Sequence, residues 1–314
     1  MKYATKEFLE NIALAAPGFF ALSSYIGGIE NFPVLHTISV LFLSIYTIYY
    51  FSISCVLVLS LTYSLRQKKP LKQNLTPFFT LLFLTAVFLF FQYNAQSIKT
   101  PLVVKEGSSL KIVSANIHLE SKIDDKLVNY VQQKNADVVV LLEVSSIHVG
   151  EIAEYFKEYP YKQVIPQDNA FGLAVLSKRP TEFVTQHIEN IPYIQAKVSL
   201  EGEIFDLFGI HAFPPMIPTF TKIRSKQIEH FLSNTNQNTI VIGDFNAVEH
   251  DYVFQNKPMQ LVPGHSITWP NWGQHVFGIG IDHAFISKNL TVLRSEVGKN
   301  TNSDHYPIYI EVIK

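Results

Sequence analysis

The chain has 314 residues, 16% charged and 47% hydrophobic, with a mean hydropathy of +0.15 and a single Cys. An average globular protein is about 25% charged; the apolar composition here excludes a disordered chain, and one Cys excludes a disulfide scaffold or a thiolate metal centre. The net charge of -1 conceals an asymmetry: residues 1–100 carry seven Lys and Arg against three Asp and Glu, and residues 101–314 carry 18 against 23.

Residues 11–29, 31–65 and 73–98 lack Asp, Glu, Lys and Arg. A bilayer core is crossed by roughly 20 apolar residues as helix, so residues 1–98 are expected to form a membrane domain of two to three spans. The 11–29 stretch is the weakest, because Pro17, Gly18, Gly27 and Gly28 interrupt it. Arg66, Lys68, Lys69 and Lys72 follow the second stretch, whereas the turn at Glu30 carries no positive charge. Basic loops stay in the cytoplasm. The Glu30 turn and everything after residue 100 are therefore expected outside a bacterial cytoplasmic membrane.

Residues 99–109 read as a linker, and the pattern then changes to short apolar runs between polar helices. Strands are expected at 110–116, 137–143, 172–177, 194–200, 204–210, 239–243, 281–287 and 306–313, with helices at 124–134 and 220–233. Runs such as Asp137-Val-Val-Val-Leu-Leu-Glu143 are apolar throughout, as in strands buried on both faces. Two packed mixed sheets flanked by helices follow, a four-layer α/β sandwich over residues 110–314.

Several of these strands end in a polar residue. Asn116 closes the first, and Glu143 follows five apolar residues. His211 follows Phe208-Gly-Ile, Asp244 and Asn246 follow Ile240-Val-Ile-Gly, and Asp282-His283 follows Gly278-Ile-Gly-Ile. Asp304-His305 precedes the last strand. Strand ends on one rim can converge on one cleft. Oxygen-rich donors with His and no Cys suit Mg²⁺ or Mn²⁺ and phosphoryl chemistry.

The order Ser114-Ala-Asn116, Leu142-Glu143, Gly209-Ile-His211, Gly243-Asp-Phe-Asn246, Ile281-Asp-His283 and Ser303-Asp-His305 resembles the endonuclease/exonuclease/phosphatase superfamily of deoxyribonuclease-like fold. The resemblance implies that Glu143 holds the metal, with Asn116 and Asp304 nearby. It implies that Asp244 orients or deprotonates the attacking water and that Asn246 binds phosphate or positions Asp244. His305, supported by Asp282, would contact the scissile phosphate, and His211 would sit on the leaving-group side. His211-Ala-Phe-Pro-Pro215, Arg224, Gln227 and Thr268-Trp-Pro270 are similar to the membrane-attached teicoplanin-resistance branch, which is thought to act on undecaprenyl pyrophosphate or related lipids. Gly280 departs from the pattern, since many relatives carry Arg there.

Substrate class follows from charge and apolar placement. A domain at net -5 lacks the basic footprint of a nucleic-acid binder, which leaves a metal-dependent nuclease as the alternative enzyme. A non-catalytic binding protein on the same fold is the third reading. Trp269, Trp272 and Phe213, with Pro214, Pro215 and Met216, read as an apolar lip for a lipid-linked phosphate at the membrane surface. Tethering raises the effective concentration of such a substrate.

Overall fold

The computed structural model describes residues 29–42, 108–233, 235–273 and 278–314. It divides into two compact units. The smaller contains residues 1–97, 215–221 and 250–252. Its described part holds a 3₁₀ turn, Ile29–Asn31, and a helix over residues 33–42. The buried hydroxyls of Thr37 and Thr221 are hydrogen-bonded at 3.0 Å, and the rings of His36 and Tyr252 meet edge-on at 5.7 Å. Among the described residues no helix is long and apolar enough to cross a membrane. The expected spans over 11–29, 31–65 and 73–98 lie outside the described residues, apart from residue 29 and the segment 31–42.

The larger unit is an α/β sandwich. Its first sheet runs β11(Thr291–Val297), β12(Ile308–Ile313), β1(Leu110–Asn116), β2(Val138–Leu142), β4(Leu173–Ser177), β3(Tyr161–Ile165). The second runs β5(Thr181–Ile188), β6(Ile191–Leu200), β7(Glu203–His211), β8(Thr239–Asp244), β10(Asp282–Ile286), β9(Gln260–Leu261). Among the described strands only β1–β2 and β7–β8 pair in parallel. The apolar run of β2 splits by the two-residue period of a strand. Val138, Val140 and Leu142 enter the core between the sheets with Leu207, Ile240 and Ile242. Val139 and Leu141 face outward, toward Leu127 and Val131 of α1(Asp125–Gln133) and Ile152 of α2(Ser146–Tyr155). On the second sheet Val241 and Phe285 pack against Ile228 and Leu232 of α3(Pro218–Ser233). Asp124 caps α1 by accepting from the Leu127 amide at 3.0 Å, satisfying one of the N–H groups a helix start leaves open.

The eight expected strands and both expected helices are present with bounds moved by a few residues. Strands β3, β5, β9 and β11 and helix α2 were not expected. All four of those strands are sheet edges.

Strand register fixes where the polar strand ends fall. In the second sheet His211 pairs with Asp244 in parallel, and Asp244 pairs with Asp282 antiparallel, so three site residues are lateral neighbours. In the first sheet Asn116 pairs with Leu142 in parallel and Ser114 pairs with Ile308 antiparallel. Asn116, Glu143 and the residues just before β12, including His305, therefore share one end of that sheet.

Candidate active site

Asp244 is the last residue of β8, and the turn after it is made by the sequence Gly-Asp-Phe-Asn. Gly243 has φ +148°, and a Cβ there would lie 2.0 Å from the Ile210 carbonyl oxygen. Only Gly lets β8 run this close to β7. Asn246 takes a left-handed φ of +47°, a conformation Asn tolerates. Its backbone N–H donates to Asp244 Oδ1 at 2.8 Å, and its side-chain amide donates to the Ala212 carbonyl at 2.9 Å. The buried Arg224 Nη1 donates to the Asn246 carbonyl at 2.6 Å. Asp244 is thus held by the turn that follows it.

The other carboxylate oxygen, Oδ2, faces two imidazoles. His211 Nε2 lies 3.5 Å away and His305 Nε2 3.9 Å away. His211 Nδ1 is 2.7 Å from the Ala170 carbonyl. A carbonyl only accepts, so Nδ1 carries the proton and Nε2 is the atom turned to the site. His305 Nδ1 donates to Asp282 Oδ2 at 2.8 Å. That bond joins the rim of the first sheet to the rim of the second. Asp282 is anchored in turn by Thr268, whose Oγ1 accepts from the backbone amides of Ile281 and Asp282 at 3.0 and 3.1 Å.

Burial and charge divide the acidities of this buried cluster. Burial, and then the neighbouring Asp282 carboxylate, raise Asp244 to about 6, against the attraction of His211 and His305. Burial also opposes ionisation of Asp282, but the charge and hydrogen bond of His305 outweigh it and hold that carboxyl below its ordinary value. Burial would lower His305, yet Asp282, with Asp244 and Asp304 beyond, carries it up to about 10. Within the cluster, then, the electrostatics favour the proton on His305 over one on Asp282.

Two donor sets bear on a metal. Asp244, Asp282 and His305 present ligand atoms within 4.8 Å of one another. His305 Nδ1 donates to Asp282, which leaves Nε2 as its ligand atom. Glu143 forms the second set. It sits just past β2 at φ +61°, Oε1 accepting from the Asn116 side-chain amide at 2.9 Å and Oε2 from the Leu119 backbone at 3.0 Å. One lone pair on each oxygen remains for a hard cation. Asn116 Oδ1 accepts from the His118 amide at 3.0 Å, so the amide group is fixed in orientation. Asp304 Oδ2 accepts from Trp269 Nε1 at 2.9 Å, beside His305 in the chain.

The structure thus brings together Asp244, Asn246, Asp282, His305 and His211, and separately joins Glu143 to Asn116 and Asp304 to Trp269. Trp269 is half-buried and held through its ring nitrogen, whereas Trp272 is exposed. Phe213 is half-buried, its amide donating to Gln227 Oε1 at 3.0 Å. Its ring meets Phe171 at a tilt of 43° and 4.6 Å between centroids, and the Phe171 ring lies 5.3 Å from that of His211. Phe171 had no signal in the sequence, since a lone Phe before a strand carries no pattern. Thr268 belongs to the Thr-Trp-Pro motif, but its hold on Asp282 arises from the fold and not from neighbours in the chain. Gly280 admits no side chain, because a Cβ would lie 1.9 Å from the His265 carbonyl oxygen.

Two packed six-stranded sheets with carboxylates and imidazoles gathered on one rim define an α/β sandwich with a polar cluster at its edge. The model of the endonuclease/exonuclease/phosphatase family matches residues 92–305, and the chain belongs to that family. Members of this family are typically metal-dependent hydrolases of phosphate esters. No curated protein matches the chain in sequence. Among solved structures, D. rerio TDP2 complexed with a single-strand DNA product is 19% identical with a TM-score of 0.52, over 66% of this chain and 100% of that one. Truncated Caenorhabditis elegans TDP2 is 17% identical with a TM-score of 0.54, over 67% and 99%. A family protein from Bacteroides thetaiotaomicron is 16% identical with a TM-score of 0.50, over 66% and 98%. At such identities the likeness is one of fold.

Proposed function

We propose that this chain is a divalent-metal-dependent phosphohydrolase, anchored by its apolar N-terminal segments in a bacterial cytoplasmic membrane. It acts on the outer face, on a lipid-linked or small phosphate such as undecaprenyl pyrophosphate. The carrying observation is Asp244 Oδ2 set between the Nε2 atoms of His211 and His305, at 3.5 and 3.9 Å, with Asp282 behind His305.

Asp244, its proton affinity raised toward neutrality, orients water and accepts its proton. The His305 imidazolium draws the phosphate oxygens and offsets the charge that builds as water attacks; Asp282 keeps it protonated. His211 Nε2, 3.5 Å from Asp244 Oδ2, takes up the proton that Asp244 accepts from water and gives it to the leaving oxygen. Asn246 positions Asp244 through its backbone N–H. Glu143, with Asn116 and Asp304, would hold Mg²⁺ or Mn²⁺, which when bound neutralises phosphate oxygens. Phe213, Trp269 and Trp272 supply the apolar lip for the substrate's lipid portion.

The lipid reading is supported by the apolar, net-basic first hundred residues and by the net -5 of the remainder, which offers DNA no broad basic surface. Purified full-length protein in detergent, with Mg²⁺ or EDTA, is assayed on undecaprenyl pyrophosphate, a phosphodiester lipid, and single- and double-stranded DNA. Mg²⁺-dependent phosphate release from a lipid is expected. Faster cleavage of DNA would assign a nuclease, and turnover of none would assign a binding protein.

A further inference from the structure

The segment between His211 and Lys222 reads Ala-Phe-Pro-Pro-Met-Ile-Pro-Thr-Phe-Thr and contains no charged residue. At its centre Met216 is 64% and Ile217 46% exposed. The same compact unit exposes Phe32, Val34 and Leu35, at 65%, 63% and 37%, where the helix over 33–42 begins. Helix and loop are fixed to each other within that unit by the Thr37–Thr221 hydrogen bond. Five large apolar side chains are thus exposed among the described residues of this unit, and exposed apolar groups that cluster mark interaction sites.

We propose that this surface, Met216 and Ile217 with Phe32, Val34 and Leu35, docks into the outer leaflet of the lipid bilayer; the inference rests on the membrane-anchored reading above. Four observations select lipid as the occupant. The helix over 33–42 opens the charge-free stretch 31–65, so its exposed first turn is continuous with a segment long enough to enter a membrane. The charge pattern assigns the Glu30 turn and the chain after residue 100 to the same face of the membrane. The Thr37–Thr221 bond independently requires the start of that stretch and residue 221 to be on one side. Finally, Pro214, Pro215 and Pro218 bracket the exposed pair. Each removes a backbone N–H that would otherwise be stripped of water in hydrocarbon, and each fixes φ beforehand.

Single-Cys proteins test this directly. On a Cys55→Ser background, Met216→Cys and Ile204→Cys are labelled with a polarity-sensitive fluorophore and reconstituted in phosphatidylethanolamine/phosphatidylglycerol vesicles with or without doxyl-labelled lipid. Ile204 is the control: 57% exposed and apolar, but at the start of β7, the opposite end from His211. The label at 216 is expected to be blue-shifted and roughly halved in intensity by lipid carrying doxyl near the headgroup, the depth an interfacial segment reaches; the label at 204 is expected to stay water-like. Equal quenching at both positions overturns the proposal. So does a label at 216 that is shielded but not quenched by lipid, the result a protein partner or a second copy would give. In Ile217→Ser, the ratio of lipid-pyrophosphate to soluble-ester turnover is expected to fall about tenfold, as loss of one buried apolar side chain implies; an unchanged ratio also overturns it. Failure of the wild type to turn over any lipid phosphate would sink the substrate reading, while the quenching result would still decide the surface.

Discussion

Asp282 stands directly opposite Asp244 in the pairing of β10 with β8, yet the two carboxyls are pushed in opposite directions. Asp244 is raised to about 6 by burial and by Asp282, and Asp282 is lowered because His305 outweighs its burial. Titratable groups whose environments separate their acidities mark acid and base roles. The imidazolium between them, raised to about 10, belongs to Asp282 through a 2.8 Å bond.

Activity should rise as Asp244 ionises, giving an acid limb in kcat/KM near pH 6, and fall as His305 loses its proton near pH 10. The Asp282 charge raises both groups. Asp282→Asn is therefore expected to move both limbs to lower pH. A pH profile of kcat/KM on a soluble phosphodiester checks this, and limbs that stay in place would exclude the coupling.

Stability carries the same signature. His305 is raised on folding, so its contribution is fully present below its ordinary value near 6.5 and is lost as pH rises toward about 10. The Asp282 contribution runs the other way, present above the ordinary carboxylate range and lost in acid. Melting temperature is expected to fall between pH 6 and pH 10 in the wild type and to fall less in His305→Gln. Equal slopes in thermal melts would contradict the assignment.

Asp244→Ala and His305→Ala are each expected to lower kcat by about 10²–10⁴-fold, the size of a general-base or charge-stabilising group, with cooperative unfolding retained by circular dichroism. Wild-type rates in either variant would remove the assigned roles.

Sequence patterning located the inner strands and missed the edges for one reason. β2, β4 and β8 are buried at every position, so an unbroken apolar run betrays them. β5 reads Thr-Glu-Phe-Val-Thr-Gln-His-Ile, with most of its length exposed at the sheet margin. β3, β9 and β11 are only half-buried edges too, and an edge strand has no second neighbour to demand apolar side chains. The site was legible where chemistry ends a strand, as at Asp244 and His211. It was illegible where a neighbour from another segment completes it. Nothing near Phe171 in the chain announces that its ring meets Phe213 and His211, and nothing at Ala170 announces a carbonyl that sets the His211 tautomer.

Glu143 offers a direct test of the metal position. Both oxygens accept from N–H donors, Asn116 Nδ2 and the Leu119 amide. Glu143→Gln must turn an NH₂ toward one of those donors and loses the negative charge. The Mg²⁺ concentration for half-maximal activity is expected to rise about 10–100-fold, while EDTA abolishes turnover in the wild type. Metal titration of activity reads both, and an unchanged Mg²⁺ requirement would move the site away from Glu143.

Phe171→Ala removes one ring of the Phe171–Phe213 pair beside His211. Such a pair contributes about 0.5–1.5 kcal/mol beyond area burial. KM for a lipid-linked phosphate is expected to rise roughly 2–12-fold with little change for a short-chain analogue. Equal losses on both substrates would make the pair a packing feature alone.

Gly280 stands where the family resemblance leads to an expectation of Arg, and the packing around it requires Gly. A Cβ would meet the His265 carbonyl oxygen at 1.9 Å and the carbonyl carbons of His265 and Ser266 at 3.0 Å. These are backbone atoms, so they cannot rotate aside. His265 is itself fixed, with Nε2 bonded to Ser295 Oγ at 2.9 Å, and burial, followed by the nearby His283, drives it down to about 3 and keeps it uncharged. Displacing residues 265–266 would pull on Thr268, which holds the amides of Ile281 and Asp282. Gly280→Ala is thus expected to destabilise the fold by about 3 kcal/mol, the upper range for overpacking, and to lower activity through Asp282. Gly150 supplies the contrast: it lies in α2 with no atom within 4 Å of a built Cβ, so Gly150→Ala should stabilise by about 0.5–1 kcal/mol. Denaturant titration of both variants separates a steric requirement at 280 from a general sensitivity of the chain. An unaffected Gly280→Ala would mean that the 265–266 segment can move and that Thr268 does not fix Asp282.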